Sequence, residues 1–248
     1  MKTFRKIVAT VEARMSSSRL PGKVLLEAGG KPMLEHLVNR LKQVSSLNEI
    51  CLATTVNKTD DRLEEFAVKQ GIACFRGSEE DVMLRVLGAG ESRGTDVIVE
   101  ITGDCPIIDP RIVEQAIRMY LNNECDYVTN GHIRSYPDGM DVDVFSLAAL
   151  KRSAAMTDDP LDHEHVKLHI RMHPELFKTI HLVAPPHLHW PELGLVLDES
   201  KDYELLKKII AHFGAANPYF SCREAVELLR QHPEWTAINQ GVHRKGYE

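Results

Sequence analysis

The chain has 248 residues and a mass of 28.0 kDa, of which 43% are hydrophobic and 27% charged. This balance excludes a disordered, collagen-like or coiled-coil protein. The net charge of −6 excludes a basic surface for nucleic acid, and no apolar run approaches the roughly 18 residues of a membrane helix. With no signal peptide recognisable, we expect a cytoplasmic protein with neither nucleic acid nor membrane as partner.

Short apolar runs alternate with amphipathic segments through the first half of the chain. The runs predict strands at 6–13, 49–55, 72–75 and 96–102, and the segments after them predict helices at 32–43, 60–70, 81–93 and 110–122. This alternation is typical of a mostly parallel sheet with helices on both faces, a Rossmann-like α/β fold. In such folds ligands bind beyond the C-terminal ends of the strands.

The pattern changes after residue 126. Strands are expected at 127–128, 141–145, 179–184 and 193–197, and helices at 161–173, 202–213 and 223–232. We predict one domain over residues 1–248, with residues 125–190 an inserted region for acceptor binding or dimerisation. An isolated two-stranded arm is marginal in water, so strands 127–128 and 142–145 would need a partner surface, which favours a homodimer.

The polar stretch after the first strand, residues 12–23, is the first candidate site. Its Arg14, Arg19 and Lys23 can neutralise phosphate charge, and hydroxyls such as that of Ser18 can donate to phosphate oxygens. The phosphate-loop pattern GxxxxGK[ST] and the dinucleotide pattern GxGxxG are both missing. Composition alone therefore leaves a solvated basic loop as an equal alternative.

Two aspartates at predicted strand ends form the second candidate site. Asp104 follows the strand at 96–102, and Asp198 ends the one at 193–197. Two carboxylates would hold Mg²⁺ with few protein ligands and leave places for phosphate and water. Helix capping is the alternative for each, although Asp109 and Asp202 are better placed to cap. The spacing alone does not show that Asp104 and Asp198 meet.

Residues 12–23 resemble the [Ala/Gln]-Arg-x-x-Ser-x-Arg-Leu-Pro-Gly-Lys signature of the cytidylyltransferase family. This family includes the CMP-Kdo and CMP-acylneuraminate synthetases, and the most similar group is that of the spore coat polysaccharide biosynthesis protein F. Further segments resemble this group in the same order: 76–82, 102–109, 136–145, 164–166, 197–202 and 232–239. The resemblance therefore covers nearly the whole chain, and the combination is far more specific than any one segment.

The resemblance implies a nucleotide-diphospho-sugar transferase type of fold and a Mg²⁺-dependent reaction. CMP would pass from CTP to an acidic sugar, or to another small anionic acceptor, with release of pyrophosphate. Asp104 and Asp198 would bind the metal and, with Arg14 and Lys23, form the catalytic set. CTP would contact a larger set of residues: Ala13, Arg14, Ser18, Arg19, Lys23, Arg76, Gly77, Ser78 and Gly103.

The chain departs from the family at two positions. Glu12 stands where relatives commonly have Pro or Gln, and Glu199 follows Asp198 where they often have Thr. Glu12 could alter the base pocket, and Glu199 adds negative charge near the expected metal. Neither departure removes the phosphate cations or the two metal carboxylates.

The acceptor side is less defined. Asp141 and Asp143 form a DxD motif, the metal motif of many glycosyltransferases, but we predict that they bind the acceptor or a second subunit. We expect Glu164 and His165 to line the acceptor pocket, together with His163 and Lys167. Three alternatives stay open: a glycosyltransferase using Asp141 and Asp143, a zinc site at His165 and His169, and a nucleotide sensor without catalysis.

Overall fold

A computed structural model describes residues 5–244. Nine strands lie within them: β1 (Ile7–Glu12), β2 (Glu27–Ala28), β3 (Lys31–Pro32), β4 (Glu49–Thr55), β5 (Ala73–Gly77), β6 (Val97–Thr102), β7 (Tyr127–Thr129), β8 (Asp143–Ser146) and β9 (Thr179–His181). The first five α-helices are α1 (Met33–Leu41), α2 (Asp61–Gln70), α3 (Val82–Ser92), α4 (Pro110–Asn122) and α5 (Leu147–Ala154). They are followed by α6 (Pro160–Glu164), α7 (Leu168–Met172), α8 (Ser200–Phe213), α9 (Cys222–Gln231) and α10 (Pro233–Thr236).

Seven of the strands form one sheet, in the order β5-β4-β1-β6-β8-β7-β9. Strands β5, β4, β1 and β6 are mutually parallel, β8 is antiparallel to β6 and β7, and β9 is parallel to β7. The expectation of a mostly parallel sheet is therefore confirmed. The C-terminal ends of β1 and β6 lie side by side, since Glu12 pairs with Thr102.

Helices cover both faces of this sheet. One face packs against α1, α2, α4, α8 and α9, and the other against α3, α5 and α7. Strand β1 is buried along nearly its whole length, because a central parallel strand contacts helices on both sides. On the second face α3 lies close to the sheet: a Cβ at Gly88 would be 2.5 Å from Cζ of Phe75. Among residues 5–244, no helix is long and apolar enough to span a membrane.

Two of the predicted elements, the strand at 193–197 and the single helix at 161–173, are wrong. Residues 193–197 are buried but form no strand of the sheet; they extend beside Asp138 and Asp104 through single backbone hydrogen bonds. The helix expected at 161–173 is divided into α6 and α7, because His165 has a non-helical conformation. This break places Lys167 within reach of two carboxylates of the sheet.

The predicted isolated arm is also wrong. Strands β7 and β8 belong to the central sheet, where β8 pairs with β6 along four residues. The backbone N–H and C=O groups of β7 and β8 are thus paired within the chain. These strands therefore do not need a partner surface. The homodimer itself stays a prediction.

Candidate active site

The polar loop after β1 is held in place by carboxylates from neighbouring loops. The backbone N–H of Met15 donates to Oδ1 of the buried Asp60 at 2.8 Å. Glu79 accepts from the Ser16 hydroxyl at 2.5 Å and pairs with Nη1 of Arg14 at 3.3 Å. The loop is therefore fixed by contacts across the sheet edge, rather than being free in solvent.

The loop ends at a lysine that bridges the two candidate metal ligands. Lys23 starts a short 3₁₀ helix after Gly22, whose φ of 69° is a left-handed conformation that glycine adopts without strain. Its Nζ lies 2.7 Å from Oδ2 of Asp104 and 3.1 Å from Oδ1 of Asp198. Nη2 of Arg19 lies 2.8 Å from the same oxygen of Asp198. The structure thus brings together both aspartates and two of the three predicted phosphate cations.

Backbone contacts set the position of Asp104. The N–H of Gly103 donates to the carbonyl of Glu12 at 2.7 Å, and a Cβ at position 103 would lie 2.5 Å from that oxygen. Glycine is therefore required for the loop after β6 to approach the end of β1 so closely. Asp104 follows directly and is aimed across the same edge.

Asp198 is placed by the buried segment before it and by the helix after it. The N–H of Leu197 donates to the carbonyl of Asp104 at 2.8 Å, which joins the two aspartate segments directly. The N–H groups of Asp198 and Glu199 donate to Oδ2 of Asp202, 3.2 and 2.8 Å away. Glu199 is the N-cap of α8 and Asp202 completes a capping box, so the prediction of Asp202 as the cap itself is wrong by one turn.

A basic residue that sequence reasoning missed completes this arrangement. Nη2 of Arg244 lies 2.7 Å from Oδ1 of Asp202, and its other nitrogens lie 3.3 Å from Asp138 and 3.8 Å from Asp198. It fits only because Gly194 has no side chain: a Cβ there would be 1.8 Å from Nη2. One residue earlier, the carbonyl of His243 accepts from Nη1 of Arg19 at 3.1 Å.

Charge stabilises this cluster. Burial alone would lower the pKa of Lys23, but the Asp104 and Asp198 carboxylates raise it. Burial would likewise raise the pKa of Asp104, but the Lys23 ammonium lowers it. Both groups are therefore charged at neutral pH, and the two aspartates present oxygens to one point.

These residues surround a cavity of about 330 Å³ at the C-terminal edge of the sheet. Most of the predicted site residues line it: Ala13, Arg14, Ser18, Arg19, Lys23, Gly103, Asp104, Glu164, His165 and Asp198. A larger open groove of about 840 Å³ runs along α4, but none of the predicted residues lines it. The smaller cavity is therefore the candidate active site.

Seven predicted residues lie outside this lining: Arg76, Gly77, Ser78, Asp141, Asp143, His163 and Lys167. The Arg76 guanidinium turns away and pairs with Asp61 and Glu64 at 2.7 and 2.9 Å. Its neighbours Gly77 and Ser78 contact α3 and its N-terminus. The Arg76 guanidinium is therefore held by acids on α2, and contact of the backbone of residues 76–78 with the base stays a prediction.

Asp141 and Asp143 are not among the residues that line the cavity. The Asp143 carboxylate accepts from the Tyr127 hydroxyl and pairs with Lys167 at 3.1 Å. Burial, with Asp138 and Asp143 nearby, raises the pKa of Asp141 to about 7. Binding of an acceptor by these two aspartates stays a prediction.

The donor set fits a hard divalent cation. Asp104 and Asp198 oxygens converge within 3.1 Å of a single cationic atom, and carboxylate oxygens are the ligands that Mg²⁺ prefers. No cluster of three or more His, Cys, Asp or Glu that could hold a metal occurs in the described part of the chain. An ion at Asp104 and Asp198 would therefore keep positions for water and phosphate.

Comparison with known proteins agrees with this geometry. The profile of the cytidylyltransferase family matches residues 8–229. The chain belongs to the cytidylyltransferase family. It is 35% identical over 235 residues to the spore coat polysaccharide biosynthesis protein SpsF of Bacillus subtilis, covering 92% of this chain and 95% of that one. An uncharacterized protein of Methanocaldococcus jannaschii, MJ1063, is 34% identical and covers 98% of both chains.

A solved structure shows the same fold throughout. A cytidylyltransferase from Leptospira borgpetersenii superposes with a TM-score of 0.91 at 31% identity, covering 97% of this chain and all of that one. With the family profile, this establishes the chain as a nucleotidyltransferase.

The cytidylyltransferase has a second charged cluster, behind the cavity, that sequence reasoning did not assemble. Nζ of Lys167 lies 2.9 Å from Oε1 of Glu100 and 3.1 Å from Oδ2 of Asp143. Burial alone would lower the pKa of Lys167, but Asp143, Glu100 and Glu12 raise it well above its ordinary value. His163, expected in the acceptor pocket, instead pairs with Asp81 at the start of α3, 2.8 Å away.

Proposed function

We propose that this cytidylyltransferase transfers CMP from CTP to an acidic sugar, or another small anionic acceptor, in a Mg²⁺-dependent reaction that releases pyrophosphate. The observation that carries the proposal is the convergence of Asp104 and Asp198 on Lys23 in a cavity also lined by Arg14 and Arg19. Two carboxylates close together can hold a metal ion, and the three cations around them can bind the phosphates of a nucleoside triphosphate.

The cations bind and orient the triphosphate. Lys23 and Arg19 are paired with carboxylates in the structure, and a triphosphate would offer them oxygens of higher charge. Arg14 is about half-exposed at the cavity mouth and pairs with Glu79. Attack at the α-phosphorus builds negative charge on phosphate oxygens, so fixed cations at these positions lower the barrier.

Asp104 and Asp198 would hold the metal, which when bound supplies charge neutralisation at the α-phosphate. Arg244 and Asp202 keep Asp198 oriented through the contacts described above. Gly103 and its hydrogen bond to Glu12 hold Asp104. Positioning of this kind brings the acceptor and the α-phosphorus into line, which is the main source of rate in phosphoryl-transfer enzymes.

The acceptor would enter from the side of α6, where Glu164 and His165 line the cavity. The names of relatives such as SpsF support a sugar destined for a polysaccharide. We further propose that the enzyme works in the cytoplasm, where CTP is available, and as a homodimer through residues 125–190. Light scattering at micromolar concentration tests the dimer against the 28.0 kDa chain mass.

Pyrophosphate release is the decisive measurement. The protein is mixed with CTP, Mg²⁺ and a panel of sugar acids and small phosphates, and pyrophosphate is assayed. A nucleotidyltransferase releases it with at least one acceptor. A glycosyltransferase acting on CMP-sugars releases none, and a nucleotide sensor binds CTP without turnover. Either of the last two results would overturn the proposal.

A further inference from the structure

Glu12 is the last residue of β1, and its side chain is partly buried in the protein interior and partly exposed to the cavity. Its Oε1 is buried and has no hydrogen-bond donor within residues 5–244, yet the residue as a whole is half-buried and lines the cavity. The Glu12 carboxyl lies within hydrogen-bond reach of Glu100 on the neighbouring strand β6. Oε2 of Glu100, a residue only 3% exposed, is buried without a donor as well.

The Glu12 carboxyl holds a proton on the side that faces Glu100, because two adjacent negative charges repel each other strongly in a poorly solvated site. Burial, and then the Glu100 carboxyl, raise the pKa of Glu12 well above its ordinary value. The charged groups that face the pair are Arg85 on α3, Lys167 before α7 and, beyond Lys167, Asp143 on β8. The Tyr127 hydroxyl from β7 is bonded to Asp143.

This proton has a consequence for the cavity. Since it lies between the two carboxyls, the part of the Glu12 carboxyl that faces the cavity has lone pairs and no hydrogen. That surface is a hydrogen-bond acceptor. Nη1 of Arg85, which also faces Glu12, donates instead to the carbonyls of Ser78 and Glu79, at 2.5 and 3.3 Å. The cavity-facing oxygen of Glu12 is therefore available to accept a hydrogen bond from the ligand.

The cavity has two sides, and Glu12 belongs to the one away from the phosphate cations. Lys23 and Asp198 come from segments on the α1 and α8 face of the sheet, whereas Val82 and Arg85 come from α3 on the other face. The Glu12 carboxyl on this second side has no positive charge to offer to a phosphate. An uncharged base with an N–H donor is the part of CTP that suits it.

We propose that Glu12 reads the base of the nucleotide by accepting a hydrogen bond from the exocyclic amino group of cytosine. The inference rests on the proposed use of CTP. Glutamate accepts from this amino group in nucleic-acid recognition for the same chemical reason. Uracil has a carbonyl oxygen at that position, so UTP would place two acceptors against each other. Glu12 therefore selects CTP over UTP.

The proposal explains why glutamate at position 12 matters where relatives commonly have proline or glutamine. Proline at position 12 would offer no side-chain acceptor, and glutamine could rotate its amide to present either a donor or an acceptor. A glutamate whose proton faces Glu100 presents only an acceptor to the cavity. This chain would thus read the amino group with a side chain.

Titration calorimetry of CTP and UTP in the presence of Mg²⁺ tests the proposal on wild type and two variants. Wild type should bind CTP at least about tenfold more tightly than UTP, and Glu12→Gln should reduce that ratio roughly tenfold. Glu100→Gln is the matched control. The amide of this variant can donate to the Glu12 carboxylate in place of the proton, so we expect the cavity-facing acceptor and the CTP preference to be retained.

An unchanged CTP to UTP ratio in folded Glu12→Gln would overturn the inference, as would loss of the preference in Glu100→Gln alone. If Glu12→Gln does not fold, wild type is titrated with the triphosphate of 2-pyrimidinone ribonucleoside, which lacks the amino group. We expect it to bind roughly tenfold more weakly than CTP, and equal affinity contradicts the proposal. Wild type that binds neither CTP nor UTP would instead refute the proposed function itself.

Discussion

Two lysines of this enzyme bridge pairs of carboxylates with nearly the same geometry, yet they lie in different surroundings. Lys23 contacts Asp104 and Asp198 at 2.7 and 3.1 Å, and Lys167 contacts Glu100 and Asp143 at 2.9 and 3.1 Å. The side chains of the first pair of acids are 21% and 12% exposed, whereas those of the second are 2% and 5% exposed.

The difference decides what each pair can do. Asp104 and Asp198 line the cavity, so a ligand can take the place of the lysine and the lysine can move to a phosphate. Glu100 and Asp143 are buried behind it, and among residues 5–244 Lys167 is the ion-pair partner that the structure gives them. We therefore expect the first pair to serve binding and catalysis, and the second to serve stability.

The largest effect is expected at the acids of the first pair. Asp104→Asn and Asp198→Asn should each reduce kcat about a thousandfold, equivalent to roughly 4 kcal/mol of barrier, because metal-assisted charge stabilisation is lost. The measurement is the initial rate of pyrophosphate release at saturating CTP and Mg²⁺. Asp61→Asn, on α2 outside the cavity, is the control. Near-normal turnover of Asp104→Asn would contradict the assignment.

The lysine of the first pair should affect affinity more than folding. Lys23→Ala should weaken CTP binding by about 10- to 100-fold, since phosphate charge is left less compensated. Calorimetry with CTP provides the measurement, with Lys31→Ala, an exposed lysine paired with Glu35, as the control. Arg14→Ala and Arg19→Ala should act in the same direction. Unchanged affinity in all three site variants would restore the solvated-loop interpretation.

The lysine of the second pair should behave in the opposite way. Lys167→Met leaves Glu100 and Asp143 buried without their cation, and we expect a loss of about 3 kcal/mol in the free energy of unfolding. Urea unfolding measures it, and Lys151→Met, which breaks an exposed pair with Glu91, should cost less than about 1 kcal/mol. An intact stability together with lost CTP binding would place Lys167 in the active site instead.

The smallest effect concerns the acid beside the second cluster. The pKa of Asp141 is raised to about 7 by burial, then by Asp138 and Asp143. Because the folded state binds the proton more tightly, the stability it contributes is present below the unfolded pKa of roughly 4 and is lost as pH rises towards 7. Asp141→Asn should therefore gain stability relative to wild type between pH 5 and 8, on the order of 1 kcal/mol. Urea unfolding of both proteins at pH 5 and pH 8 measures this. The same difference in free energy of unfolding between Asp141→Asn and wild type at both pH values would contradict the prediction.

Most residues of the first cluster could be predicted from sequence, but neither the meeting of Asp104 with Asp198 nor the contribution of Arg244 could, and the second cluster could not be assembled. Asp104 was found because parallel strands end at one edge of the sheet, and residues 12–23 were found because their cations are crowded into one loop. Glu100 lies inside an apolar strand, and Lys167 reaches it only because the helix expected at 161–173 breaks at His165. Nothing in local periodicity signals such a break.

Other differences have the same origin. Residues 193–197 have the composition of a strand, but they satisfy their backbone through Asp138 and Asp104 rather than through a sheet neighbour. Arg76 carries the charge expected of a site residue, but its guanidinium forms ion pairs with Asp61 and Glu64 on α2. In each case the tertiary partners, rather than the residue itself, decide the outcome.

The contact between Arg19 and His243 also determines when the active site can form during synthesis. A ribosome that has added Arg19 must add 224 more residues before the carbonyl of His243 can meet it. Arg244, whose guanidinium lies 3.8 Å from Asp198, is added one residue later. The contacts around Asp198 can therefore be completed only after residue 244 has been added.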